Sequence, residues 1–189
     1  MSQQTSYNDN PPPALAGLVR WTEGTRVWTK VASGSVPIGM LVKNGTQSLS
    51  APYPVNELAD GGSAGTIVAY TSAAISDDPL LDSEYVGVPI LDLNRMAQSA
   101  GITTATQGSL TYSVYGDKQA VPVLRKGELW VLSENAVTQF ADVYVRMTVA
   151  TNNPVGQFSM STGTGKVKFT HGRWLMTTSG AGLALMELF

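Results

Sequence analysis

Several groups of residues have the types and spacing that chemistry would need. Gly61-Gly62-Ser63-Ala64-Gly65 has the glycine-flanked serine of a nucleophile elbow, and Asp142 and His171 follow in the order of a serine triad. An elbow joins a strand to a helix. Here a proline-bearing polar stretch precedes Ser63 and the β-branched run Thr66-Ile67-Val68 follows it, so serine hydrolysis is not expected. His171, the single histidine, lies between Thr170 and Gly172 at a turn and reads as an exposed or capping imidazole. Gly163-Thr164-Gly165-Lys166 resembles the end of a phosphate loop, but Met160 stands where the first glycine is needed and Val167 where a hydroxyl would hold magnesium; it reads as a turn. Asp77, Asp78 and Asp82 offer hard oxygen ligands without the alternating ligands and central glycine of an EF-hand, so they read as solvated loop acids. Trp21, Trp28, Trp130 and Trp174 fall on strand-like runs, where core and interface anchors outweigh a sugar platform or a base-stacking surface. No catalytic residue, cofactor or metal site is expected.

Composition narrows the remaining classes. A chain of 189 residues fits one domain, which at that size buries roughly 70% of the surface exposed on unfolding. It has no cysteine, which excludes disulfides and thiolate metal sites. A net charge of −2 provides no general field for a phosphate backbone, and neither nucleic acid nor a membrane is an expected partner. Only 14% of residues are charged, against about 25% in ordinary domains. Charges are depleted at interface cores, so scarce charge points toward assembly, and an all-β chain must also cover its edges; self-association as a dimer or trimer is expected.

The elements that must position these residues are strands. Residues 1–17 are polar and then proline-rich through Pro11, Pro12 and Pro13 to Ala14 and Leu15, and read as an extended arm rather than a signal peptide. Residues 18–189 read as a single β-rich domain, loop-rich over 52–110. Leu18–Trp21 and Arg26–Val31 flank Gly24 as one predicted hairpin, Asn44-Gly45 marks a second reversal, and Val121–Leu132 reads as a third hairpin about Arg125-Lys126-Gly127. Thr66–Thr71, Glu84–Leu91 and Leu110–Tyr115 read as strands and 102–109 as loop. Val143, Val145, Met147 and Val149 alternate onto one buried face. One short peripheral helix is predicted over Leu93–Ala100, with Asp92 as N-cap and Gly101 beyond its end. Three more short strands close the chain, with Gly182–Phe189 too apolar to lie outside a sheet. The whole reads as an all-β, antiparallel sandwich or barrel.

The succession Val121–Val131, Ala141–Arg146, Gly156-Gln157-Phe158, Gly172–Leu175 and Gly182–Leu188 resembles the structural cement, or capsid decoration, proteins of tailed bacteriophages, from about Leu18 to the end of the chain. That resemblance implies a non-enzymatic protein on the outer surface of a phage head, made in the host cytoplasm, that bridges major capsid protein subunits. Its capsid or partner contacts are expected at Pro11, Pro12, Pro13, Ala14, Leu15, Trp21 and Trp28. The competing class is a tail-associated or carbohydrate-binding β-module.

Overall fold

The computed structural model describes residues 15–44, 66–69, 85–92 and 102–189, and among them every regular element is a strand. In chain order these are β1 (Val19–Arg20), β2 (Arg26–Ala32), β3 (Val36–Pro37), β4 (Val42–Asn44), β5 (Thr66–Ala69), β6 (Tyr85–Pro89), β7 (Ile102–Gln107), β8 (Leu110–Tyr115), β9 (Ala120–Ser133), β10 (Val143–Arg146), β11 (Phe158–Ser159), β12 (Lys166–Phe169), β13 (Gly172–Trp174) and β14 (Gly182–Leu188).

The predicted hairpin about Gly127 is instead one continuous strand, the 14-residue β9. Arg26 faces Lys126 while Val27 faces Leu124, so Arg125 is an extra residue, a bulge, and Gly127 beside it has φ +129°. Bulges and tight turns use the same residues. What separates them is pairing: β14 runs along β9 from Ser133 to Gly127, and β2 and β6 take up the other half.

The predicted hairpin about Gly24 is corrected in the same way. β1 and β2 are both antiparallel to β9 and therefore run in one direction, with Val19 opposite Leu129 and Arg26 opposite Lys126. Trp21–Thr25 is an excursion between them. The stretch 102–109, expected as loop, contains β7, which pairs with β8 over its full length because Gly108 and Ser109 make the reversal. The helix expected over Leu93–Ala100 and the Asn44-Gly45 turn fall wholly or partly outside the described residues.

The N-terminal half of β9 closes a small barrel. β9 pairs with β2, β2 with β5, β5 with β4, β4 with β6 and β6 again with β9. The C-terminal half continues into a second sheet, through β11, β10 and β12 on one side and β14 and β13 on the other. Pairing is antiparallel except for β2 with β5 and β9 with β11. A separate sheet, β3-β8-β7, completes the domain.

Two apolar clusters follow. Val121 and Val123 point into one with Ala32, Val42 and Tyr115, whose hydroxyl donates to Ile90 O at 2.8 Å. Leu124, Leu129 and Val131 belong to the other, with Val143, Val145, Trp174, Met186 and Leu188. There Phe158 and Phe169 meet edge to face with centroids 5.8 Å apart. Val143 and Val145 are buried as their alternation predicts, but Val149 is 61% exposed, because β10 ends at Arg146 and the chain turns into the Ala150–Asn153 bridge. The closing strand is paired on both sides, with β13 and β9, as its apolar residues require.

One ion cluster ties the second sheet together. Glu134, directly after β9 and 3% exposed, accepts from Arg146 Nε, from Arg146 Nη2 at 2.9 Å and from Lys166 Nζ at 2.7 Å. Lys166 also donates to Ser159 Oγ at 2.8 Å and Ser161 Oγ at 3.0 Å. The end of β9 is thereby bonded to β10, β11 and β12.

Two outcomes check this architecture by urea unfolding at neutral pH. Glu134→Gln leaves two buried cations without their counter-charge and is expected to cost about 3–5 kcal/mol; a loss under about 1 kcal/mol would contradict the buried cluster. At Gly87, with φ +146°, an added Cβ runs into Leu124 O and meets Val123 Cγ1 at 2.7 Å, whereas at Gly24, with φ +89°, it meets nothing within 4 Å among the described residues. Gly87→Ala should therefore cost about 3 kcal/mol or more and Gly24→Ala about 1 kcal/mol. Equal losses would contradict the close approach of β6 to β9.

Candidate functional site

The bulge that bends β9 also shapes its neighbouring surface. Alternation along β2 places Arg26, Trp28 and Lys30 on one face. The extra residue Arg125 is aimed at Trp28, its guanidinium 5.1 Å from the ring centroid, and Lys30 Nζ lies 5.5 Å from the same centroid. Cations over an indole are worth about 0.5–1 kcal/mol each at an exposed site. Trp28 itself is 37% exposed, so the ring has an open side.

Charge is concentrated around it. Arg26 lies directly opposite Lys126, a like-charge pair that a sheet ordinarily avoids. Arg20 reaches Glu128 at 3.3 Å while staying largely exposed. The segments 19–32 and 124–128 carry Arg20, Arg26, Lys30, Arg125 and Lys126 against Glu23 and Glu128, a local charge of +3 in a chain of net charge −2. Lys30, 9% exposed, has its pKa lowered below the usual lysine value, first by burial and second by the neighbouring Arg125.

Trp21 lies in the excursion between β1 and β2 and is 70% exposed. The excursion is tied by threonine hydroxyls: Thr25 Oγ1 donates to Thr22 O at 2.8 Å, Thr22 N donates to Thr25 Oγ1 at 3.1 Å, and Thr25 N donates to Thr22 O at 3.2 Å. A ring flanked by cations, and an exposed indole on a tied turn, each suit contact with a protein surface.

Of the contact residues expected from sequence, Trp28 belongs to this face and Trp21 is exposed on the excursion between β1 and β2. Leu15, 47% exposed, lines a different feature with Ile38, Thr111 and Leu183. Pro11, Pro12, Pro13 and Ala14 lie outside the described residues, as do Ser63, Asp77, Asp78 and Asp82. The other residues with chemical potential go to separate partners. Asp142 accepts from Lys168 Nζ at 2.7 Å, His171 packs edge to face on Phe169 at 5.7 Å, and Lys166 is held by Glu134. Trp130 is half-buried and Trp174 fully buried. Arg20, Arg26, Lys30, Arg125 and Lys126 were not singled out from sequence. The i, i+2 spacing of Arg26, Trp28 and Lys30 is a legible signal, but joining it to Arg125 and Lys126 requires the β2–β9 register.

Compared with known proteins, the chain matches the family described as Structural cement protein (E217 gp24/Pam3 gp6) over residues 3–188. A solved chain from "The capsid of Myoviridae Phage XM1" is similar at a TM-score of 0.56, with 14% sequence identity and 97% of each chain covered. At that identity the likeness is one of fold. The comparison with curated proteins found no match.

The lowered Lys30 pKa gives a pH dependence. In the window between its folded value and about 10.5 the unfolded chain binds more protons than the folded one, so this residue's contribution to stability rises with pH. Below that window the cost of holding the charged ammonium is fully present. Relative to Lys30→Met, the parent chain should therefore gain stability as pH is raised from 7 to 10, measured by urea unfolding. A difference that is flat or moves the other way would contradict the burial of the ammonium.

Proposed function

Given that the chain belongs to the phage structural cement protein family, we propose that it is a non-enzymatic decoration protein that binds the outer surface of a phage head and bridges major capsid protein subunits. The observation that carries the docking part of this reading is the exposed ring of Trp28 among the cations of β2 and the β9 bulge, with a second exposed indole, Trp21, on the excursion that precedes β2. A positive patch on a net acidic chain gives orientation to a low-affinity encounter, and the exposed indoles supply apolar contact area. Because each contact is repeated by the symmetry of a shell, modest single-site affinity is sufficient for full decoration once bridging makes attachment multivalent. The N-terminal arm extends this reach to a neighbouring subunit.

A carbohydrate-binding module is the second reading, and it rests on the same two exposed tryptophans. The flanking cations favour the protein partner, since a neutral sugar face has no use for a local charge of +3.

Co-sedimentation with expanded, undecorated heads tests the proposal. The full chain is expected to bind saturably. Arg26→Glu with Lys126→Glu, or Trp28→Ala, should weaken binding about tenfold or more, and raised salt should weaken the parent but hardly the doubly substituted chain. Removing residues 1–14 should weaken it further. Undiminished binding by the charge-reversed chain would remove this face from the reading; no binding by the full chain to intact heads, with saturable quenching of tryptophan by a glycan, would favour the second reading.

A further inference from the structure

A groove runs between β8 and the β9–β14 pair. Two adjoining cavities of about 250 Å³ and about 240 Å³ share Leu132 as part of their walls; the first is bounded by Leu15, Thr111 and Leu183, the second by Ser109, Asn152 and Gln157. One wall of the groove is a strand edge. β3 covers β8 only at Val114 and Tyr115, with one more bond from Ile38 N to Ser113 O at 2.9 Å. Alternate residues of an antiparallel strand turn their N–H and C=O to the same side, so Ser113 and Thr111 present theirs on the β3 side. Ser109 N, in the turn before β8, donates to Asn152 Oδ1 at 2.9 Å. The Thr106 and Thr111 hydroxyls approach to 3.4 Å, as suits a cross-strand pair that exchanges no backbone bonds. Thr111 thus turns its backbone polar groups toward a stretch where no described strand runs alongside.

The two ends of the groove differ in chemistry. Leu132, Leu183 and the ring of Tyr112 make the first cavity mainly apolar. In the second, Gln157 is 3% exposed and its Oε1 has no hydrogen-bond partner among the described residues. Leu15, the first described residue, stands at the apolar end and is 47% exposed.

We propose that this groove seats the chain's own N-terminal segment, residues 1–14, in the free protein. Ala14 is bonded to a residue that already lines the groove, and fourteen extended residues reach about 46 Å. Three consecutive prolines, Pro11, Pro12 and Pro13, favour the polyproline conformation, whose rings would suit an apolar floor with an aromatic wall and whose carbonyls would accept from Thr111 N–H. The polar residues before them, Gln3, Gln4, Thr5, Ser6 and Asn8, come next and match the amide-rich second cavity, where Gln157 needs a donor. The tether makes this an intramolecular contact at high effective concentration, so weak bonds suffice. Binding to a head would then release a stowed arm.

The test uses the full chain and the absence of cysteine. Asn10→Cys provides the single thiol for a nitroxide label, and the ¹⁵N amide signals of Thr111, Ser113 and Leu183 are compared between oxidised and reduced label. Selective broadening at these residues is expected, unchanged on tenfold dilution and absent when labelled unenriched chain is mixed with unlabelled enriched chain. Broadening in the mixed sample would overturn the proposal in favour of a second copy's segment. No broadening at the groove would overturn it outright.

Discussion

The backbone ladder of β9 is the constraint on which the rest of the domain depends. A strand that leaves one sheet for another must keep its N–H and C=O groups bonded throughout, because each buried group left alone costs about 1–3 kcal/mol. Here the bulge at Arg125 and the positive φ of Gly127 bend the strand at the point where its partners change from β2 and β6 to β1 and β14. The bend sends Val121 and Val123 into one apolar cluster and Leu129 and Val131 into the other. The same residues thus close the barrel, align the second sheet and present Arg125 to Trp28.

Local pattern revealed most of the strands and little of their connection. Period-two alternation found Val143 and Val145, and the apolar closing segment identified β14 as an interior strand. The all-β class followed from short runs between glycine, proline and asparagine. Topology was hidden for a physical reason. A glycine beside charged residues supports a positive φ in either a reversal or a bulge, and only the long-range pairing of β14 and β2 decides between them. In the same way, Thr22–Thr25 makes a hydrogen-bonded turn, yet the strands on either side continue in one direction. Thr103, Thr104 and Thr106 are β-branched and favour a strand, but the Ala and Gln residues among them weakened that signal.

The proposed docking face was half legible for a related reason. Trp21 and Trp28 stand out by residue type, because large exposed indoles are unusual in a lone domain. Their cationic setting is a product of register, since Arg26 and Lys126 are a hundred residues apart in sequence and meet only through the β2–β9 ladder. The buried cluster of Glu134, Arg146 and Lys166 shows how the chain treats cations that have structural work: it encloses them with a carboxylate and serine hydroxyls. Arg26 and Lys126 are left facing each other at the surface instead.

The central claim is that this face, built by the β9 bulge, is the side turned to the capsid. A cryo-EM reconstruction of heads decorated with the full chain measures that orientation directly. The account predicts density placing Trp21, Trp28 and the Arg26–Lys126 pair against the shell, with acidic shell residues opposite them. Density showing that face open to solvent, with the domain seated on another surface, would contradict it.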